Sequence, residues 1–276
     1  MNKKIYFISG FPRAGNTVLA SILNQNKKIK TTAHSLLPDI VYTLDKLKQK
    51  PIYKNFPDEK SFNNMVENIF SNYYEDWDCE YIIERGDWIT PENLFLLEKY
   101  FKNNEIKIVI LVRNILDIIG SYLQIAKKNP LFFINRIYEE KNKLEMIFEH
   151  AEEKADIVME KNGYVHTVLY SIKNLLKSKF KNYIFIDYDD LLNSPKETLD
   201  KIYNFYGIEK YNHNYNNIEQ FKVNDVSYDD KNIGAGIHTL REGKLERNVY
   251  GVKVPQRVID KYCNLEFWKN EADSNR

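Results

Sequence analysis

The feature that most constrains the fold of this chain is a glycine-rich loop between an apolar strand and an amphipathic helix, near the start of the sequence. Residues 4–9 have the composition of a buried strand, and residues 15–26 place Val18, Ile22 and Leu23 on one face of a helix. A loop in this position directs backbone N–H groups and the positive end of the helix toward one anion. The opening of the chain therefore predicts an anion-binding α/β fold.

The loop has the spacing of a nucleotide-phosphate loop but lacks its lysine. Gly10, Gly15 and Thr17 match the pattern G-x-x-x-x-G-K-[ST], whose lysine reaches the β- and γ-phosphates of a nucleotide. Asn16 stands at the lysine position, and Arg13 is the one cation of the loop. This substitution predicts a ligand with a phosphate at the 5′ end of a nucleoside but without an ordinary triphosphate. A tight turn that carries a surface arginine is the structural alternative.

The composition is that of a folded protein without a strong electrostatic bias. Of the 276 residues, 43% are hydrophobic and 29% are charged, and the net charge is +1. We therefore expect a packed core and no general attraction to nucleic acid or to an anionic membrane.

The two cysteines, Cys79 and Cys263, lie far apart and lack the spacing of metal ligands, which favours reduced thiols in a cytosolic protein. The first strand begins too early for a signal peptide, and the sequence has no apolar run of about 18 residues that could cross a membrane. We expect a cytoplasmic protein with no transmembrane segment and no metal. The oligomeric state stays open.

Strands and helices alternate along the chain. Further strands are predicted at residues 80–84, 106–112 and 183–187. Helices are predicted at residues 36–49, 59–74, 91–102, 115–127, 195–206 and 255–263, and loops at residues 208–253. This alternation predicts the fold class α/β, with a P-loop-like, mainly parallel sheet flanked by helices on both faces. We expect a single domain over residues 1–276, with a charged helical insertion at about residues 130–180.

A second anion site is predicted where the apolar strand at residues 106–112 ends. Arg113 follows this strand directly, and Ser121 comes eight residues later in the next helix. Ligands of open α/β sheets bind beyond the carboxyl ends of the strands, so Arg113 faces the same crevice as the loop. An ion pair between Arg113 and Asp117 is the alternative. Together the two motifs indicate two separate anionic groups on one ligand.

These motifs resemble those of sulfotransferases. Residues 10–17 (Gly-Phe-Pro-Arg-Ala-Gly-Asn-Thr) are similar to the 5′-phosphosulfate loop in its Pro-Arg-Ser-Gly-x-Thr form, which tyrosylprotein sulfotransferases and many bacterial members share. Residues 111–121 resemble the 3′-phosphate element of the family. Weaker similarity to later family segments is found at residues 186–207, 236–241 and 265–268. The loop departs from the pattern at Ala14, where serine is usual, and at Asn16, where serine or threonine is usual.

The resemblance implies a sulfotransferase that uses 3′-phosphoadenosine 5′-phosphosulfate (PAPS) as sulfuryl donor, without a metal. That donor has one phosphate and a sulfuryl group at its 5′ end and an isolated 3′-phosphate, which fits two anion sites. The residues that the resemblance assigns to the donor are Pro12, Arg13, Ala14, Gly15, Asn16, Thr17, Arg113, Ser121 and Arg241. Arg13 would also be catalytic, because it would stabilise charge that develops during transfer.

A base should take the proton of the acceptor hydroxyl. Tyrosylprotein sulfotransferases have a carboxylate 21 residues after the loop arginine, and His34 holds that position here. Histidine suits this role because its ordinary pKa is about 6.5. The alternative is a His34 that packs near the next helix, and Asp39 and Glu84 are weaker candidates. Arg85 either contacts donor or acceptor or forms a structural ion pair.

Three functions stay open from the sequence. The first is sulfuryl transfer to a small-molecule, glycan or peptide hydroxyl, with no nucleic-acid partner. The second is a small-molecule kinase with a degenerate loop, because Asp187 ends an apolar strand as a Mg²⁺-binding carboxylate would. The third is a non-catalytic nucleotide-binding relative, because Ala14, Asn16 and His34 depart from common family patterns.

Overall fold

The computed structural model describes residues 3–142, 150–161, 163–228, 230, 237–247 and 253–269. It confirms the predicted fold class, with five parallel strands flanked by helices. The strands are β1 (Lys4–Gly10), β2 (Ile29–Thr31), β3 (Tyr81–Arg85), β4 (Ile108–Val112) and β5 (Tyr183–Asp187). Their order in the sheet is β2-β3-β1-β4-β5. The first strand and its two neighbours therefore occupy the middle of the sheet.

The close pairing of β1 and β4 requires glycine at the end of β1. Gly10 pairs with Leu111 and has φ 127°, a conformation that side chains other than glycine rarely adopt. A Cβ atom at Gly10 would lie 2.1 Å from the carbonyl oxygen of Leu111. The first glycine of the loop motif is thus needed for sheet pairing as well as for the turn that follows.

Most of the longer helices occur where periodicity and capping residues predict them, with small shifts at their ends. Their bounds are α1 (Asn16–Leu23), α2 (Leu37–Lys46), α3 (Pro51–Asn55), α4 (Glu59–Tyr73), α5 (Pro91–Tyr100), α6 (Ile115–Lys128), α7 (Phe133–Asn142), α8 (Ala151–Val158), α9 (Tyr164–Lys177), α10 (Tyr188–Asn193), α11 (Pro195–Tyr206) and α12 (Gln256–Tyr262). A 3-10 helix, Leu47–Gln49, continues α2. Each helix of the described part of the chain is too short or too polar to span a membrane.

Local sequence explains several helix ends. Thr90 caps α5, because its hydroxyl accepts a hydrogen bond from the backbone N–H of Asn93 at 3.3 Å. Asn114 caps α6 in the same way, with the backbone N–H of Asp117 as donor at 3.2 Å. Gly207 ends α11 in the left-handed conformation at φ 70°. These residues fix where α5 and α6 begin and where α11 ends.

Aromatic side chains fill the core around the middle of the sheet. Trp88 is completely buried and packs edge-on against Phe7 of β1, with ring centroids 5.2 Å apart. Near the loop, Trp268 from the C-terminal segment is 1% exposed and packs on Phe11, with centroids 5.1 Å apart. The C-terminal segment therefore supports the loop that follows β1 from beneath.

The short elements β2, α3 and α10 escaped prediction, as did two short strands near the C-terminus. The predicted loop region contains a short hairpin of β6 (Lys222–Val223) and β7 (Val226–Ser227) and a bridge between Ile218 and Gly243. The predicted insertion contains α7, α8 and α9, and its residues 143–149 and 162 lie outside the described residues. Gly236 of the segment 236–241 also lies outside them.

Candidate active site

The loop after β1 is bent by two residues in the left-handed conformation, Arg13 at φ 62° and Gly15 at φ 86°. A Cβ atom at Gly15 would lie 2.8 Å from the ring of Tyr188, so the close approach of α10 permits only glycine here. Arg13 is not glycine, and its conformation is uncommon for such a residue. Strained conformations of this kind cluster at functional sites. The backbone at Arg13 and Gly15 is therefore not helical, and α1 begins only at Asn16.

Arg13 is held by three segments that are distant in sequence. Its Nε donates to Oγ of Ser121 on α6 at 3.1 Å, and its Nη1 donates to the carbonyl oxygen of Ile237. The carbonyl oxygen of Arg13 accepts a hydrogen bond from Nη1 of Arg113 at 2.6 Å. These hydrogen bonds hold the guanidinium group in one orientation, and a fixed orientation is what electrostatic stabilisation of developing charge requires.

The N-terminus of α1 adds positive potential beside Arg13. The first backbone N–H groups of a helix have no partner within the helix, and the helix dipole is positive at this end. Asn16 and Thr17 open α1, and Nδ2 of Asn16 donates to the carbonyl oxygen of Phe11 at 2.8 Å. The side chain at the position of the missing lysine thus binds the backbone of the loop itself. The loop therefore provides backbone donors and one arginine.

Arg113 forms the ion pair that the sequence left as an alternative, and it also lines the cavity beside the loop. It lies at the end of β4, is 3% exposed and lines the same cavity as the loop. Its guanidinium group also lies 3.7 Å from Oδ2 of Asp117, and its Cζ lies 4.2 Å from the ring centroid of Tyr188. Ser121 is 2% exposed and lies behind Arg13, so its hydroxyl orients the loop arginine. Asp117 and Tyr188 in turn fix the plane of the Arg113 guanidinium.

Arg85 is a third cation at this edge of the sheet. It ends β3 and is 8% exposed, and burial lowers its pKa from the ordinary value. Its Nε lies 3.5 Å from Oδ1 of Asn16, its Nη1 lies 2.5 Å from Nδ1 of His34, and its guanidinium lies 3.9 Å from Asp87. Arg85 therefore connects the loop to the histidine that the sequence singled out.

Two histidines lie next to each other at this point, His34 and His238, with ring centroids 6.3 Å apart. Although His34 is open to a cavity, desolvation by the surrounding protein and then the charge of Arg85 lower its pKa below the usual value. Burial also lowers the pKa of His238. Both imidazoles are therefore neutral near pH 7.

Asp230 fixes the position of His238. Its carboxylate accepts hydrogen bonds from the backbone N–H groups of Ile237 and His238, at 2.6 and 3.0 Å. Oδ2 of the same carboxylate lies 3.4 Å from Nδ1 of His238. Contacts with Asp230 thus hold both the backbone and the imidazole of His238 beside the cavity.

Two adjacent cavities lie on either side of Arg85 and His238. The first, of about 140 Å³, is lined by seven residues that the sequence assigned to the donor: Pro12, Arg13, Gly15, Asn16, Thr17, Arg113 and Arg241. The second, of about 850 Å³, is lined by His34 and by side chains of α6 to α9. Pro12, Arg85, Ile237 and His238 line both cavities and so mark their junction. Ala14 is completely buried in the hydrophobic core.

The sequence of the chain matches a family model, the sulfotransferase domain, over residues 3–239. The chain belongs to this family. A search of curated proteins finds no significant match.

Among solved structures, the fold of this sulfotransferase is similar to the sulfotransferase domain of the Synechococcus PCC 7002 olefin synthase, with 14% identity, a TM-score of 0.55 and coverage of 97% of this chain and 95% of that one. The sulfotransferase domain from the curacin biosynthetic pathway has 16% identity and a TM-score of 0.49, with 76% and 75% of the chains covered. Mouse sulfotransferase SULT7A1, solved in complex with PAP, has 16% identity and a TM-score of 0.42, with 77% and 61% covered.

Two carboxylates that the sequence kept as alternatives have structural roles in this sulfotransferase. Glu84 is completely buried, accepts a hydrogen bond from Nε1 of Trp88, and lies outside the described lining of both cavities. Burial raises the pKa of Glu84 to about 7. Asp187 caps α10, since its Oδ1 accepts a hydrogen bond from the backbone N–H of Asp189 at 2.8 Å. The described residues contain no cluster of three metal-ligating side chains.

Sequence reasoning assigned no role to His238 and Asp230, and it left Arg85 open. His238 lies in the segment 236–241, which was noted for its family resemblance but not for its histidine. No local pattern connects His238 with His34, because the two residues meet only after the C-terminal segment folds over the sheet edge.

Proposed function

We propose that this sulfotransferase-family protein transfers a sulfuryl group from PAPS to the hydroxyl of an acceptor. The observation that carries the proposal is one cavity that joins two separate cationic sites, Arg13 beside the N-terminus of α1 and Arg113 at the end of β4. Two cationic sites on one cavity match the two anionic groups of a nucleotide that is phosphorylated at two positions. A lysine at position 16 has less to do when the 5′ end lacks a triphosphate.

The 5′ end of the donor would lie against the loop. Backbone N–H groups at the N-terminus of α1 and the hydroxyl of Thr17 would bind its phosphate oxygens. Arg13 and Arg85 flank this position from two sides, and both have only hydrogen-bond donors. The 3′-phosphate would lie near Arg113, in a cavity that Arg241 and Lys244 also line.

In the reaction, the acceptor oxygen forms a bond to sulfur, the bond from sulfur to the bridging oxygen breaks, and the released electron pair stays on the 5′-phosphate of the bisphosphate product. By analogy with phosphoryl transfer, the protein contributes mainly positioning and electrostatic stabilisation. Arg13, which is already oriented by Ser121 and Ile237, would stabilise charge on the bridging oxygen. The acceptor proton has to go to a base at the junction of the two cavities.

The partners of the two histidines favour His238 as this base. Arginine has donors only, so Nδ1 of His34 accepts from Arg85 and the neutral ring carries its hydrogen on Nε2. The carboxylate of Asp230 accepts, so the neutral ring of His238 carries its hydrogen on Nδ1 and keeps a lone pair on Nε2. His238 would then take the proton, and Nε2–H of His34 would donate to the acceptor or to a sulfuryl oxygen. The choice of His34 as base from the sequence stays an untested prediction.

Calorimetric titration with 3′,5′-adenosine bisphosphate, run beside ATP with Mg²⁺, tests the donor. We expect metal-independent binding of the bisphosphate that weakens in Arg113→Ala and stays unchanged in Arg136→Ala, a matched change at an exposed arginine. Binding of Mg-ATP alone would replace the proposal with the kinase. Binding of the bisphosphate without turnover of any acceptor would favour the non-catalytic relative.

The cytoplasmic location also stays a prediction, which fractionation of the producing cells tests.

A further inference from the structure

The second cavity has the size of a small-molecule site and an uneven distribution of polarity. Its volume of about 850 Å³ lies within the range of roughly 300–1,000 Å³ that is typical of ligand pockets. Its inner end carries the polar side chains of His34, Arg85, Asp87 and His238. Away from this end, α7, α8 and α9 contribute a mainly apolar wall of Phe133, Ile137, Ile157, Val158, Val165 and Val168, to which Tyr164, Thr167 and Ser171 of α9 add polar atoms.

Several polar groups along the wall are already bound within the protein. Oγ of Ser171 donates to the carbonyl oxygen of Thr167 at 2.7 Å, and Oγ1 of Thr90 donates to the carbonyl oxygen of Asp87 at 3.2 Å. The rim residue Glu160 accepts from Nζ of Lys141 at 2.7 and 2.8 Å. A ligand with hydroxyls all around, such as a sugar, would lose hydrogen bonds to water against this wall without replacing them.

We infer that the acceptor is an apolar alcohol or phenol whose hydroxyl reaches the junction at His34 and His238 while its hydrocarbon body lies among α6 to α9. The inference rests on the sulfuryl transfer proposed above, because it places the acceptor hydroxyl next to the sulfuryl group. The product is the sulfate ester of that alcohol, and the acceptor proton goes to the imidazole. Of the acceptors that the sequence left open, a hydrophobic small molecule is thus preferred over a glycan or a peptide.

A series of straight-chain primary alcohols from butanol to dodecanol tests this inference, with release of 3′,5′-adenosine bisphosphate from PAPS as the readout. We expect kcat/KM to rise by about fourfold for each added methylene until the cavity is filled, because each buried methylene adds hydrophobic transfer free energy. Glucose and a tyrosine-containing peptide should be poor acceptors. A flat response along the series, or preferred turnover of glucose or the peptide, would overturn the inference.

A matched pair of variants locates the effect in the cavity. Ile157 is partly exposed to the cavity on α8, whereas Tyr170 is 55% exposed on α9 and lies outside the cavity lining described for this structure. Ile157→Glu should lower kcat/KM for dodecanol about tenfold or more, because the alcohol then packs against a charge. Tyr170→Glu should leave it unchanged. Equal effects of the two variants would contradict the proposed position of the acceptor.

Direct binding separates this inference from the proposed function. Both variants should bind the bisphosphate as the parent chain does, because neither residue lines the donor cavity. Calorimetric titration of the parent chain with the same alcohols, in the absence of PAPS, should show affinity that rises with chain length. This rise without any bisphosphate binding would leave the apolar cavity established and the sulfotransferase proposal overturned. Bisphosphate binding without an affinity that rises with alcohol chain length would overturn the apolar acceptor and leave the sulfotransferase proposal standing.

Discussion

The two cavities, which share Pro12, Arg85, Ile237 and His238 in their linings, are built in different ways. The donor cavity is formed by a continuous loop, the start of α1 and the ends of adjacent strands, so backbone geometry and arginines define it. The second cavity is formed largely by side chains of α6 and of α7 to α9, the three helices that lie in the predicted insertion. Under the proposed function, the loop motif would determine which group is transferred, and the packing of the helices would determine what receives it. Acceptors can therefore change without changes in the loop.

The largest effect is expected on the donor side. Arg13→Ala removes the one side-chain cation of the loop and should lower kcat by about 100- to 1,000-fold, as the loss of a preorganised donor does in other enzymes. Dependence on alcohol chain length should persist, because Arg13 is not part of the apolar wall. Steady-state kinetics with a PAPS and alcohol series checks both points. Near-normal turnover in this variant would rule out the role of Arg13 and remove the contrast between the two cavities.

The next effect concerns the junction. His238→Asn should lower kcat by roughly 100-fold, in the range for loss of a general base, whereas His34→Asn should have the smaller effect because its ring acts as a donor. Burial lowers the pKa of His238, so the neutral base persists below its ordinary pKa of about 6.5. The rate of the parent chain should therefore stay constant from pH 8 to about pH 6.5 and fall at lower pH.

The His34→Asn variant serves as the control for the junction. It should keep the fall in rate at low pH, and His238→Asn should lose it. A pH–rate profile for each variant distinguishes a base from a residue that only positions the substrate. If His34→Asn loses the fall and His238→Asn keeps it, the base is His34, as the sequence suggested.

The smallest effect is on stability and concerns Glu84, a buried residue of β3 whose carboxylate accepts a hydrogen bond from Trp88. Its pKa is raised to about 7 by burial, against about 4.3 in an unfolded chain. The folded state therefore holds this proton more tightly. The stability that this provides is fully present below about pH 4.3, and it is lost as the pH rises through about 7.

Glu84→Gln keeps the shape of the side chain and removes this titration. The melting temperature of the variant, relative to that of the parent chain, should increase between pH 5 and pH 8, while turnover of the alcohols changes little. Thermal unfolding at the two pH values measures the increase. A relative melting temperature that is the same at both values would show that Glu84 titrates normally, and a large loss of turnover would place it in the reaction.

Much of the fold was predictable because its signals are local. The apolar run that forms β5 was located to the residue, and α11 was bounded correctly by Pro195 and Gly207. The three residues of β2 were missed because so short a strand has no period of its own and depends on pairing with β3. The candidate site shows the same contrast between local and distant signals. The loop is contiguous in sequence and could be located from it, whereas the role of Arg85 depends on contacts with residues distant in sequence, such as His34.

The sequence by itself determined the strand–loop–helix opening of the chain, most of the longer strands and helices, and the positions of Arg13 and Arg113 after two of the strands, because contiguous residues and their spacing carry these features. Only the tertiary structure decided which groups meet. Arg13 and Ile237 are 224 residues apart and share a hydrogen bond, and His34 faces His238 across a similar separation. The shape of the acceptor cavity likewise depends on how α6 to α9 pack. Local spacing cannot specify such contacts, because they form only when distant segments bury their apolar faces together.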